Sequence, residues 1–255
     1  MTDQKTKAEQ FHALHVPGKP LVLFNAWDAG STKAVAAAGA KAIATGSWSV
    51  AHANGFEDGE RTPLVLAIEN LRRIVAATDL PVTVDLESGY GDAIEAVGQT
   101  ISLAIHAGAI GCNLEDSFPA SGKLRDTADQ TNRIRRARQA ADAANLSFFL
   151  NARTDVFFQS PPAQHNNAMV EDALQRAKAY AEAGADGLFA PGLVNAKFIA
   201  RLAKESPLPL NIMVGEGTPP VRQLAEHGVA RVSYGPGPYL LAMKALEEAA
   251  RNASA

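Results

Sequence analysis

The chain has 255 residues, 47 % of them hydrophobic and 20 % charged, with a net charge of −3 and one cysteine. That length can bury a large core, and the small negative charge leaves no electrostatic footprint for nucleic acid or for an anionic membrane. A single thiol, Cys112, excludes an intrachain disulfide framework and a cysteine-rich zinc site.

The opening MTDQKTKAEQF lacks the apolar centre of a signal peptide. No later run reaches the roughly 20 apolar residues that a bilayer requires, so a cytoplasmic location is expected. Eight short β-branched or apolar runs then follow: LVLFNAW (21–27), AIATGS (42–47), PVTVDL (81–86), GCNLED (111–116), FFLNARTD (148–155), GLFAPG (187–192), PLNIMV (209–214) and ARVSYG (230–235). Between them lie stretches of helical periodicity, from STKAVAAAGA through PLVLAIENLRRIVAAT and MVEDALQRAKAYAEAGA to PPVRQLAEHG, and PYLLAMKALEEAA closes the series.

Such alternation demands parallel strands joined by helical crossovers, and eight repeats close most simply into a (β/α)8 TIM-type barrel. An open doubly wound sheet fits less well, because NAWDAGS stands where a GxGxxG would follow the first strand. Nothing marks a boundary within the chain, so one domain over 1–255 is expected. AGA recurs before the second, fourth and sixth strands, where glycine would take the left-handed conformation that ends a helix.

In a barrel of this kind the chemistry sits at the C-terminal strand ends. The third strand ends in Asp85 and Glu87, two positions apart and so on one side, with Thr83 below. The fourth supplies Asn113 and Glu115, the fifth Asn151, Arg153 and Asp155, and the seventh Asn211. Facing carboxylates on adjacent strands repel unless a cation or protons lie between them. Asp85, Glu87 and Glu115 are therefore candidates for an oxygen-only metal site, and the lack of convergent His or Cys favours Mg²⁺ or Mn²⁺. The plainer alternative is solvated acids at strand termini.

Arg153 suits an anionic substrate, since a guanidinium holds a carboxylate bidentately; a salt bridge to Glu115 or Asp155 is its other reading. Thr45, Gly46 and Ser47 end the second strand, where a bare backbone brings N–H groups close to a ligand oxyanion. Cys112 has parity opposite to Glu115 and is expected in the core. His52, His106, His165 and His227 show no ligand spacing. GEGTPP (215–220) and YGPGP (234–238) follow the last two strands, where barrels often seat phosphate.

TGS…GFEDGE (45–60), VDLESGYGD (84–92), NLEDS (113–117), NARTD (151–155), AYAEAGADGLFAPG (179–192) and LPLNIMVG (208–215) together resemble the isocitrate lyase/phosphoenolpyruvate mutase superfamily from about residue 8 to about 250. The resemblance implies a modified barrel, commonly with its eighth helix exchanged between subunits, in homodimers or homotetramers that bind Mg²⁺. It implies Asp85 as the direct metal ligand, with Glu87 and Glu115 holding metal waters. It also implies Thr45 and Gly46 as backbone donors to a 2-oxo carboxylate, Asp58 as a catalytic acid, and Arg153 and Asn211 as substrate contacts. The implied chemistry breaks or forms a bond beside a small 2-oxo or 2-hydroxy acid through an enolate-like intermediate.

The chain departs from that pattern in the segment after the fourth strand. FPASGKLRDTADQ (118–130) has no cysteine where the family's lyases carry a gating Cys, and only Lys123 and Arg125 as cations where its mutases carry a Lys-rich loop. Asn113 stands where lyases tend to have His, and Pro191-Gly192 where they have Glu. The departures argue against isocitrate and 2-methylisocitrate lyase and leave a C–C bond-cleaving lyase or decarboxylase as the expectation. C–P chemistry on phosphonopyruvate and a non-catalytic barrel that binds a 2-oxo acid are the alternatives.

Overall fold

The computed structural model describes residues 3–253. Its strands are β1 (Leu21–Leu23), β2 (Ile43–Ala44), β3 (Val82–Asp85), β4 (Gly111–Glu115), β5 (Phe149–Arg153), β6 (Gly187–Phe189), β7 (Leu210–Met213) and β8 (Arg231–Ser233). They form one parallel sheet in the order β1-β8-β7-β6-β5-β4-β3-β2. A single parallel bridge, Ala26 to Thr45, joins the two ends, so the sheet curls into a nearly closed (β/α)8 barrel of the TIM type, as expected.

The helices are α1 (Gln4–Ala13), α2 (Ala29–Ala37), α3 (Ser47–Ala53), α4 (Leu64–Ala76), α5 (Ile94–His106), α6 (Thr127–Ala143), α7 (Asn167–Glu182), α8 (Ala196–Glu205), α9 (Val221–Glu226) and α10 (Gly237–Ala253). Side-chain caps set several starts. Asp28 and Ser31 form a reciprocal capping box at α2, and Asn166 and Asn195 accept the first free N–H groups of α7 and α8. The recurrent AGA ends helices as anticipated: Gly39, Gly108 and Gly184 have φ of 89°, 98° and 100°.

Two helices are additions to the sequence reading. The polar opening forms α1, capped by Asp3, and its Phe11 is fully buried edge-on against Phe149, plugging the N-terminal floor of the barrel. The segment after β2 forms the short α3 directly from Gly46. None of the described helices is long and apolar enough to cross a membrane.

The last helix is unlike the others. Among its described residues α10 buries only Pro238, leaving Leu240, Leu241 and Leu246 more than half exposed. On the outside of β1 lies an apolar groove of about 580 Å³ floored by Val22 and Phe24, both more exposed than barrel strand residues usually are.

Candidate active site

The C-terminal mouth of the barrel gathers most of the expected residues. Asp85, the last residue of β3, is fixed by its neighbours: its N–H donates to Thr45 Oγ1 at 2.9 Å and its Oδ2 accepts from the Ser47 N–H at 3.1 Å. Beyond it the strand has already ended, so Glu87 does not follow strand parity. It adopts a left-handed backbone, φ 51°, and returns to the cluster through that turn, its N–H reaching Asp85 Oδ1 at 3.4 Å.

Glu60 (φ 59°) and Tyr90 (φ 58°) are left-handed as well. Non-glycine residues there cost about 1–2 kcal/mol each, and a dense network offsets that. The Glu60 N–H donates to Glu87 Oε2 at 2.5 Å, while Glu60 Oε1 accepts from the Ser88 hydroxyl at 2.6 Å and the Tyr90 N–H at 2.7 Å. These bonds stitch the loop after α3 to the loop after β3.

Opposite, Arg153 makes the salt bridges foreseen for it, to both acids at once. Its Nη1 pairs with Glu115 Oε2 at 2.7 Å, and its Nε and Nη2 donate to the two Asp155 oxygens at 2.6 and 2.9 Å. The Ser117 hydroxyl lies 2.9 Å from a carboxylate oxygen of each, with one proton to give. Burial pushes Glu115 up despite the pull of Arg153, with Asp155 and Asp85 adding to the rise. Burial, then Asp58, Asp85 and Glu115, push Glu87 up to about 8. Asp58 is raised too, by withdrawal from water and then by Asp85.

Above these groups is a cavity of about 180 Å³, below the roughly 300–1,000 Å³ of drug-sized ligand sites. Gly46, Ser47, Asp58, Asp85, Asn113 and Arg153 line its polar side; Trp48, Phe158, Phe189, Pro191, Met213 and Pro236 line the apolar one. Asn25, at the end of β1, and Gly235 also reach it, so the glycine loop after β8 belongs to this cavity rather than to a remote phosphate site.

Several expectations need correction. Thr45 does not face the cavity: its N–H is spent on Thr83 O at 3.1 Å and its hydroxyl on Asp85. Asn211 lies beneath, 1 % exposed, with Ser233 as its partner. Glu87 and Glu115 stand behind the lining, braced by Glu60 and Arg153. Arg125, one of the two cations after the fourth strand, is not in the cavity lining; it is 2 % exposed, paired with Asp92 and Asp129 and stacked on Phe118. Cys112 is fully buried, as anticipated.

Among the described residues no three His, Cys, Asp or Glu side chains converge as a closed metal cage. The donor set fits Mg²⁺ in another way. Asp85 alone of the three acids lines the cavity, and burial together with the neighbouring carboxylates raises Glu87 and Glu115, a cost that a divalent cation between them relieves. Mg²⁺ keeps several waters and needs only one or two carboxylates.

Asn25, Trp48 and Glu60 went unnoticed in the sequence. Reading the end of the first strand like the others would have found Asn25; Glu60 acts on a residue 27 positions away and leaves no local signal.

The family model described as phosphoenolpyruvate phosphomutase matches residues 11–254. A crystal structure from Burkholderia cenocepacia J2315, provisionally described as a phosphonomutase, is 56 % identical with a TM-score of 0.96 and covers 98 % of this chain and 99 % of its own. An uncharacterized protein of Mycobacterium tuberculosis (strain CDC 1551 / Oshkosh) is 37 % identical over 244 residues, 96 % of this chain and 88 % of that one. The oxaloacetate decarboxylase of Pseudomonas savastanoi pv. phaseolicola (strain 1448A / Race 6) is 30 % identical over 193 residues, 72 % of this chain and 62 % of that protein.

Proposed function

The chain belongs to the phosphoenolpyruvate phosphomutase family, and from that premise we propose that it is a Mg²⁺-dependent enzyme, Mn²⁺ serving in its place, that cleaves a C–C bond adjacent to a small 2-oxo or 2-hydroxy carboxylate through an enolate-like intermediate. The observation that carries this reading is the small cavity in which Asp85, Gly46 and Ser47 face Asn113 and Arg153. A cation held by Asp85, its waters reaching Glu87 and Glu115, would polarise the 2-oxo group and stabilise charge developing on its oxygen.

The chain's own residues supply the rest. Gly46 offers a backbone approach without a side chain, and Arg153, held in place by Glu115 and Asp155, presents its guanidinium to the substrate carboxylate. Asp58 stands at the rim with its proton affinity raised, suited to holding or giving a proton beside the bond that breaks. Trp48, Phe158 and Phe189 keep the departing side dry.

C–P chemistry on phosphonopyruvate is the second reading, favoured by the name given to the 56 % identical relative. Against it, Arg153 is the sole cation among the lining residues and already serves two carboxylates, whereas a phosphonate dianion calls for more positive charge.

The test is pyruvate release from oxaloacetate, 2-methylisocitrate, 2,3-dimethylmalate and phosphonopyruvate, with Mg²⁺ and with chelator. Chelator-sensitive turnover of a C–C substrate supports the proposal, and turnover of phosphonopyruvate alone replaces it with the second reading. Silence on all four with intact oxo-acid binding makes the protein a binding barrel.

The assembly proposed with it is a homodimer or homotetramer in the cytoplasm, in which α10 of one copy lays its exposed leucines into the groove beside β1 of the other. Sedimentation as a monomer at micromolar concentration would refute it.

A further inference from the structure

Arg231 is the largest oddity of the barrel interior. It sits on β8, 1 % exposed, between Leu21 of β1 and Asn211 of β7 in register. It makes no ion pair among the described residues; its Nε and Nη1 have no hydrogen-bond partner, and the Phe11 ring lies 5.8 Å from its guanidinium carbon. Among the described residues its guanidinium makes one hydrogen bond, from Nη2 to Asn113 Oδ1 at 3.3 Å. Asp85 attracts it without bonding to it, and a buried cation with no directly paired carboxylate is disfavoured against an apolar side chain of similar size, so packing does not account for its presence.

The chemistry of that one bond is informative. A guanidinium has donors and no acceptor, so the Asn113 atom that faces it must be the oxygen. Asn151 Nδ2 donates to the same oxygen at 2.9 Å. Asn151 is itself placed by the strand beyond, since a Cβ on Gly187, its register partner on β6, would come within 2.7 Å of Asn151 Oδ1. With its oxygen held from two sides, the Asn113 amide has one orientation left. Its NH₂ group finds no acceptor among the described residues, and Asn113 lines the cavity beside Asp85 and Arg153.

We propose that Arg231 is a positioning residue: with Asn151 it locks the Asn113 amide so that the two N–H donors face the cavity, preset to bind an anionic or carbonyl oxygen of the substrate. Without it only Asn151 holds that oxygen, and the amide turns more readily, presenting an oxygen to an anion for part of the time. The positive charge of Arg231, buried below the floor, also favours an anion above it. The identity of the acceptor rests on the function proposed above; the orientation of the amide does not.

The experiment uses the full chain, Mg²⁺ and oxalate as the probe. Arg231→Met, Arg231→Lys, Asn113→Leu and the double variant Arg231→Met/Asn113→Leu are compared by thermal melting, by ¹⁵N side-chain amide spectra and by calorimetric titration. The Asn113 signals are identified by their loss in Asn113→Leu. In folded Arg231→Met these signals should shift or broaden and oxalate affinity fall about ten-fold, the scale of one charge-assisted hydrogen bond. Asn113→Leu should weaken binding by a similar factor and the double variant no further, because both changes remove the same contact.

Should Arg231→Met fail to fold, Arg231→Lys carries the test: it keeps the charge but one donor geometry fewer, and should show the same amide shifts with a smaller loss of affinity. Unchanged Asn113 signals in a folded Arg231 variant, or losses that multiply in the double variant, would overturn the proposal. If the parent binds no oxalate while the Asn113 signals still move on loss of Arg231, the positioning role stands and the substrate reading falls.

Discussion

Replacing Arg153 with methionine keeps the side chain's length and removes its charge. Two carboxylates depend on that charge: Glu115 at 2.7 Å and Asp155 at 2.6 Å, only 8 % and 5 % exposed, so water cannot take the guanidinium's place. Removing one partner of a buried pair costs about 3–5 kcal/mol, and with two acids stranded the upper half of that range applies. For a chain of this size each kcal/mol moves Tm by about 2–4 °C, which puts Arg153→Met on the order of 10–15 °C below the parent at pH 8 in chelator.

The deficit should shrink toward pH 5. Glu115 already has a raised folded pKa, and loss of Arg153 raises it further. A group raised in the folded state contributes its stability at low pH and loses it as the pH climbs through the folded value, so the cost of the substitution grows with pH. Arg153→Met/Glu115→Gln, which leaves Asp155 alone to strand, should recover about half of the loss. Scanning calorimetry of the three proteins at pH 5 and pH 8 is the assay. A Tm for Arg153→Met within about 2 °C of the parent at pH 8, or a deficit equal at both values, would refute the reasoning.

Glu60→Ala removes two short hydrogen bonds to a carboxylate, worth about 1.5–3 kcal/mol each, and should speed amide exchange across residues 86–93, with Glu60→Gln close to the parent; unaltered exchange at Tyr90 would count against the stitch. Metal-free protein should lose stability as pH rises from about 4.5 to 8, the interval over which the unfolded chain releases the Glu87 proton while the folded chain keeps it. Glu87→Gln should flatten that slope in melts across the interval, and an identical slope would disprove the assignment. Leu241→Glu with Leu246→Glu places charge on the exposed face of α10 and should reduce the sedimenting species to a monomer; an unchanged sedimentation coefficient would mean that this face does not assemble.

The sequence exposed the barrel because eight apolar runs alternate with stretches of helical periodicity, and it exposed the mouth because polar residues at apolar strand ends stand out from the core pattern. It misjudged what strand parity does not govern. FFLNARTD reads as a strand to Asp155, yet β5 stops at Arg153 and Asp155 opens a 3₁₀ turn; PVTVDL ends at Asp85, and Glu87 arrives by a left-handed turn. The burial of Arg125 was not legible because its partner Asp92 lies 33 residues away, a pairing no local pattern carries. α1 was invisible as a barrel floor because its one large apolar residue is Phe11, whose neighbour, Phe149, is distant in the chain.

The seam of the barrel has a bearing on solubility. Between β1 and β2 the ladder shrinks to one bridge, and the Asn25 amide completes it, donating to Thr45 O at 2.9 Å and accepting from the N–H groups of Tyr234 and Gly235 at 3.0 and 2.9 Å. An unsealed sheet margin is a template on which foreign strands can add. Asn25 thus closes that margin as well as walling the cavity. Asn25→Leu should scatter light on mild heating well before the parent does, and a clear solution up to the parent's melting point would show that the margin is protected by something else.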